Sequence, residues 1–152
     1  MIRTNRRLGL CSALIACCLV FIWGNSLMPG VISQRISDCV KWALEALLSG
    51  GGETGGSGGG GLLRKFAHFT EFTALGMCLG WLFGMLGKKK TWPFALGAAA
   101  ACIDETIQRF VPGRSPGLLD VCIDSCGVAF GMLLLYLGHS YYKKRTNHSG
   151  GN

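Results

Sequence analysis

From Leu8 through Gln34 the chain carries no charged side chain, and Leu8 to Met28 alone supplies 21 residues of nearly continuous apolar character. A helix of that length rises about 31 Å, matching the ~30 Å hydrocarbon thickness of a bilayer. Three later windows, 66–87, 91–111 and 118–142, repeat the pattern with charge confined to their ends. Backbone polar groups cannot stay unpaired in hydrocarbon, and apolar runs of this length satisfy them as helices. The fold this predicts is all-α: a polytopic membrane protein, a four-transmembrane-helix bundle forming one domain over 1–152. Only 15% of the residues are charged, which is low for a soluble domain of 152 residues.

The N-terminus has two further resemblances. Arg3, Arg6 and Arg7 before Leu8 to Ala16 look like a signal peptide, and Leu14-Ile15-Ala16-Cys17 looks like a lipobox. Cys18 to Trp23 stays apolar where a released or lipidated chain would turn polar, so an uncleaved first span is expected.

Between the first two spans, Ser33 to Leu48 places Ile36, Val40, Ala43, Leu44 and Leu47 on one helical face. Arg35, Asp38, Lys41 and Glu45 fall mostly elsewhere around the turn, so the segment predicts an extra amphipathic helix lying at the interface in the first outer loop. Gly50 to Gly61 then supplies nine glycines in twelve residues, a flexible tether that cannot offset its backbone entropy by burial. No Gly-Lys-Ser or Gly-Lys-Thr follows it, so it is not a phosphate loop.

Nine of the fifteen Lys and Arg (Arg3, Arg6, Arg7, Lys88, Lys89, Lys90, Lys143, Lys144 and Arg145) fall on one side of this topology. The positive-inside bias makes that side cytoplasmic, with both termini inside and all eight Asp and Glu in the outer half. The net charge of +7 therefore reads as topology, and nucleic acid is excluded as a partner because no long basic face exists. Seven of the eight cysteines fall in apolar spans and act as small hydrophobes. Gly76, Gly80, Gly84 and Gly87, with Gly127 and Gly131, form small-residue stripes suited to close helix packing.

The polar residues that interrupt the apolar segments converge on one face of the membrane. Span two opens with Lys65, His68 and Glu71; span three ends with Asp104, Glu105, Gln108 and Arg109; span four opens with Asp120 and Asp124. Arg114 lies in the tight loop 111–117 between them. Ionisable groups at such positions mark a site or a set of mutually satisfied pairs. In a catalytic reading His68 is a general base or metal ligand, Glu71, Asp104 and Asp120 hold a divalent cation or tune a proton donor, and Arg114 holds a phosphate. In a binding reading Lys65, Arg109 and Arg114 meet an anion, the carboxylates, Glu105 and Asp124 among them, meet an amine or sugar hydroxyl, and the Gln108 amide is a further ligand-binding group. In a purely structural reading His68 pairs with Glu71, Glu105 with Arg109, and Arg114 with Asp120. A permeation path is disfavoured, since the inner halves of the spans carry almost no polar group apart from His139.

This set resembles the VanZ-like family of small bacterial membrane proteins. The resemblance rests on Arg64-Lys65-Phe-Ala-His68-Phe-Thr-Glu71-Phe, on Asp104-Glu105-Thr-Ile-Gln108-Arg109-Phe-Val-Pro-Gly-Arg114, on Asp120 to Gly127 followed by Gly131, and on the Asn25-Ser26-Leu27-Met28-Pro29 exit from span one. Departures are Glu71, Asp124 where an asparagine is common, and the glycine tether. The resemblance implies a multi-pass protein of the bacterial cell membrane, with a link to glycopeptide (teicoplanin) resistance through one member. It implies membrane lipids as partners, together with a lipid-linked cell-wall precursor or a glycopeptide. The outward-facing site is accordingly expected to bind such a component, the alternative being an embedded hydrolase or transferase acting on a phospholipid or lipid-linked precursor.

Overall fold

A computed structural model of the chain describes residues 2–49 and 60–149, so all but the last two residues of the glycine tether lie outside the described residues. Five helices and no strand occur among the described residues: α1 (Ile2–Ser26), α2 (Gly30–Ser49), α3 (Gly60–Met85), α4 (Thr91–Gln108) and α5 (Leu118–Ser149). Their limits differ from those of the apolar windows. α1 begins ahead of Leu8 and α5 continues past Tyr142, because Arg and Lys sustain a helix as well as Leu does. α4 stops at Gln108, short of Val111, where the chain tightens into a turn with Phe110 N–H on the Ile107 carbonyl and Val111 N–H on the Gln108 carbonyl.

Two stretches, Thr4–Ser26 and Leu118–Thr146, are long and apolar enough to cross a membrane. Only 11% and 22% of their most apolar windows are buried in the fold, unlike the core helix of a soluble protein. Val20, Phe21, Leu118, Leu119 and Phe110 are all exposed, and on α2 so are Val31, Ile32, Ile36, Val40 and Trp42. Contiguous exposed apolar surface on this scale calls for an apolar surrounding or a partner.

α3 is the central element, packed on α1, α2, α4 and α5 and most closely on α5. Sequence explains the close approach: a Cβ at Gly76 would strike the Val128 backbone, and one at Gly131 would strike the Thr73 carbonyl oxygen. Gly76 of α3 and Gly127 and Gly131 of α5 therefore line one seam, each against the backbone of the other helix, while Gly84 and Gly87 stand clear of it. Ile22, Phe72, Leu75, Leu79, Ala100, Ala101 and Val128 form the apolar core, drawn from α1, α3, α4 and α5. Toward the end of the bundle where α3 and α5 begin, the buried residues turn polar: Ser26, His68, Asp104, Gln108, Arg114 and Asp124.

Two turns close that end. Gly30 N–H donates to the Pro112 carbonyl at 3.0 Å, and Gly113 adopts φ of +76°, a left-handed conformation that side-chain-bearing residues rarely take. Any Cβ at Gly30 would collide with the Gly113 carbonyl, so at this point the α1–α2 turn and the α4–α5 loop meet backbone to backbone.

Candidate functional site

Five chain segments supply the polar end. The first turns of α3 carry Arg64, Lys65, His68 and Glu71; the last two turns of α4 carry Asp104, Glu105 and Gln108; the first two turns of α5 carry Asp120 and Asp124. The last turn of α1 adds Asn25 and Ser26, and the α4–α5 loop adds Arg114. At the centre, His68 Nδ1 lies 3.7 Å from Asp104 Oδ2, too long for a hydrogen bond and within ion-pair range. One donor atom each from His68, Asp104 and Asp124 lies within 4.8 Å of the other two, and all three residues are buried.

The surrounding groups orient this centre. Gln108 Nε2 donates to Asp104 Oδ2 at 2.9 Å and to Ser26 Oγ at 3.1 Å, so α1 and α4 are joined through one amide. Glu71 Oε1 accepts from Asn25 Nδ2 at 2.9 Å. Glu105 Oε1 accepts the Gly117 N–H, the amide that precedes α5. Lys65 Nζ is 3.0 Å from Asp120 Oδ1. Arg114 donates from Nε to the Met28 carbonyl at 3.2 Å and from Nη2 to the Asn25 carbonyl at 2.8 Å. Burial pulls the Arg114 guanidinium below its ordinary pKa, and nearby Arg64 adds to that; Asp104, Glu105 and Glu71 oppose it.

These partners differ from the three pairs that spacing suggests. His68 and Glu71 share a face of α3 but diverge, His68 toward α4 and Glu71 toward α1, because the two neighbours flank that face on either side. Glu105 turns inward to Gly117, and Arg109, at the C-cap of α4, is exposed and stands apart from the cluster. Asp120 is taken by Lys65, which leaves Arg114 free to reach the end of α1. Consequently Glu71 and Asp120 are drawn away from the centre, and Asp124 takes the place beside His68 and Asp104. Asn25, Ser26 and Arg64 are the members that the charge pattern alone does not single out. For Asn25 and Ser26 the local signal is a polar pair ending an apolar run, and for Arg64 it is its place beside Lys65.

Several buried atoms of the cluster have no hydrogen-bond partner: both ring nitrogens of His68, Asp104 Oδ1, Glu71 Oε2, Glu105 Oε2 and Arg114 Nη1. Proteins leave few such groups, and a set gathered in one place points to a ligand or bound solvent. A cavity of about 10 Å³, lined by Arg64, Lys65, His68, Glu105, Gln108, Asp120, Ile123 and Asp124, adjoins them. That is room for about one water or a bare ion. Next to it, between α2 and α3, a mainly apolar groove of about 180 Å³ is lined by Asn25, Ser33, Ile36, Ser37, Val40, Leu63, Arg64, Phe66 and Ala67. Arg64 borders both, and it also borders an open basin formed with Gly30, Val31, Gln34, Arg35 and Gly113.

A protein-family model described as VanZ/LLP1 matches residues 11–139, a stretch that contains every member of the cluster. Comparison with curated proteins and with solved structures returns no match.

Proposed function

Since the chain belongs to the VanZ/LLP1 family, we propose that it is a multi-pass protein of the bacterial cell membrane whose polar end binds the phosphate-bearing head of a lipid or lipid-linked cell-wall precursor. In this reading α1, α3, α4 and α5 cross the bilayer with both termini cytoplasmic, and α2 lies at the outer interface. The basic triplets at the opposite end of the bundle support that orientation, as do the exposed apolar side chains of α2. Binding a cell-wall precursor there would fit the link to glycopeptide resistance known for one member of the family that the chain resembles.

The observation that carries the proposal is the position of Arg64. It stands where the apolar α2–α3 groove meets the buried polar cluster, which is the arrangement an amphiphile with an anionic head requires. An acyl or prenyl chain would lie along Ile36, Val40, Leu63 and Phe66, with the phosphate on Arg64 and the exposed Arg35 nearby. With purified protein in nanodiscs, Arg64→Gln is expected to weaken binding of phosphatidylglycerol or a lipid-linked diphosphate about tenfold, the loss of one charge-assisted contact. Binding of a diacylglycerol, which has the acyl chains and no phosphate, should be unchanged. Equal anionic-lipid affinity in the two proteins would remove the proposal.

A second reading is favoured by the unpartnered His68 imidazole between two carboxylates: a hydrolase or transferase acting on the same ligand. Recovering the lipid-linked diphosphate after incubation separates the two, since a binder returns it intact and an enzyme returns it cleaved or transferred.

Topology has its own test. In a cysteine-free background, single cysteines at Leu62 and Ser115 are expected to react with an impermeant maleimide on intact cells, and one at Lys89 only after permeabilisation. If positions 62 and 115 fall on different sides, the polar residues do not share a compartment.

A further inference from the structure

His68, Asp104 and Asp124 have one property that lipid binding does not require. Each is more than nine-tenths buried, each comes from a different helix, and their donor atoms already lie within 4.8 Å of one another. We propose that these three residues form a binding site for a borderline divalent transition ion, with Zn²⁺ as its representative occupant. Bonds of about 2.0–2.2 Å place the donors of a tetrahedral ion roughly 3.3 Å apart, so small rotations of two aspartate side chains close the set.

Donor chemistry selects the class of ion. Mg²⁺ and Ca²⁺ favour all-oxygen sets, whereas an imidazole nitrogen with two carboxylates suits Zn²⁺ and its neighbours in the first transition row. Three protein ligands also leave a position open for water or a phosphate oxygen.

Charge and hydrogen bonding agree. Two buried carboxylates repel one another unless protonated or joined to a cation. No Lys or Arg among the described residues forms an ion pair with Asp104 or Asp124: Lys65 pairs with Asp120, Arg114 donates to two backbone carbonyls, and Arg64 stands at the rim of the adjoining cavity. Both nitrogens of His68 and one oxygen of Asp104 are buried without partners. An ion takes one ring nitrogen and leaves the other for the single water that the adjoining cavity admits. Gln108 fixes the Asp104 carboxylate from behind, the role an outer-shell partner plays in metal sites. Glu71 and Asp120, which spacing alone nominates as metal holders, lie outside this set.

The test uses the full chain in mild detergent, stripped with chelator, with no anionic lipid present, and titrates Zn²⁺ and Co²⁺ as the probes. One ion per chain is expected, with a Co²⁺ spectrum of nitrogen and oxygen ligation. His68→Ala and Asp124→Asn should each weaken binding at least tenfold, while Glu71→Gln stays within about threefold, in line with the effects of altering metal ligands and their supports. Zn²⁺ should raise the unfolding midpoint of the native chain and leave that of Asp124→Asn unmoved. Less than half an ion per chain, a thiolate charge-transfer band placing the ion on cysteine, or equal affinity in Asp124→Asn overturns the site. Should a variant fail to fold, stoichiometry and the Co²⁺ spectrum of the native chain decide alone. Because lipid is absent, a negative result here leaves the Arg64 proposal standing, and the reverse also holds.

Discussion

Replacing Gly131 with leucine is expected to force α5 off α3 and cost about 3 kcal/mol, the upper part of the range for overpacked interiors. The added Cβ would fall on the Thr73 carbonyl oxygen and within 2.9 Å of the Met77 amide nitrogen. Both obstacles are backbone, so neither can rotate aside. Within a bilayer, helices associate through such close van der Waals approach because lipid removes the hydrophobic drive between them. Gly138 provides the comparison: nothing lies within 4 Å of a Cβ there, although it belongs to the same helix. Gly138→Leu should therefore stay within about 0.5 kcal/mol of the parent. Unfolding in a graded detergent series, followed by circular dichroism, measures both. Equal loss in the two variants would mean that α3 and α5 do not depend on their glycine contact. Since α3 holds His68 and α5 holds Asp124, the Gly131 variant should also lose any ligand that needs both.

Removing the guanidinium of Arg114 carries the second large effect. Arg114→Leu should cost about 3 kcal/mol, the scale of breaking a buried charged contact with two hydrogen bonds. The carbonyls of Asn25 and Met28 would lose their donor, and the carboxylates of Glu71, Asp104 and Glu105 would lose a nearby buried cation. Arg114→Lys should recover little, because one ammonium cannot reproduce a fork that spans two carbonyls. Arg109→Leu, an exposed residue of the same loop region, is expected to leave the unfolding midpoint unchanged. A thermal-shift series over the three variants ranks them, and comparable midpoints for Arg114→Leu and Arg109→Leu would refute the assignment.

Much of the helical layout is legible in the chain because apolar length and charge placement act locally. Leu8 to Met28 announces α1 by itself, and the Pro-Gly and Ser-Pro-Gly steps between Val111 and Leu118 announce the turn into α5. Helix limits are less legible, since hydrocarbon thickness governs where charge begins and not where hydrogen bonding ends. Membership of the polar cluster is also readable from residue type: His68, Asp104, Gln108, Asp120 and Asp124 all arrive there. Partner choice is not. His68 with Glu71 satisfies every rule of spacing, yet the order of helices around α3 sends one to Asp104 and the other to Asn25. Asp124 looks equivalent to Asp120 one turn earlier, and only the Lys65 contact shows which of them is left to face His68. Such distinctions depend on side-to-side neighbours, which no one-dimensional periodicity encodes.

Where Gly30 touches Gly113, a side chain at Gly30 would displace the Gly113 carbonyl, whereas one at Gly113 would meet Gly30 at ordinary contact distance and is opposed by its φ of +76° instead. The inheritance of position 30 is consequently tied to a distant turn: a descendant of this chain that enlarges it must also reshape the loop around position 113, 83 positions further along, while the reverse dependence is absent.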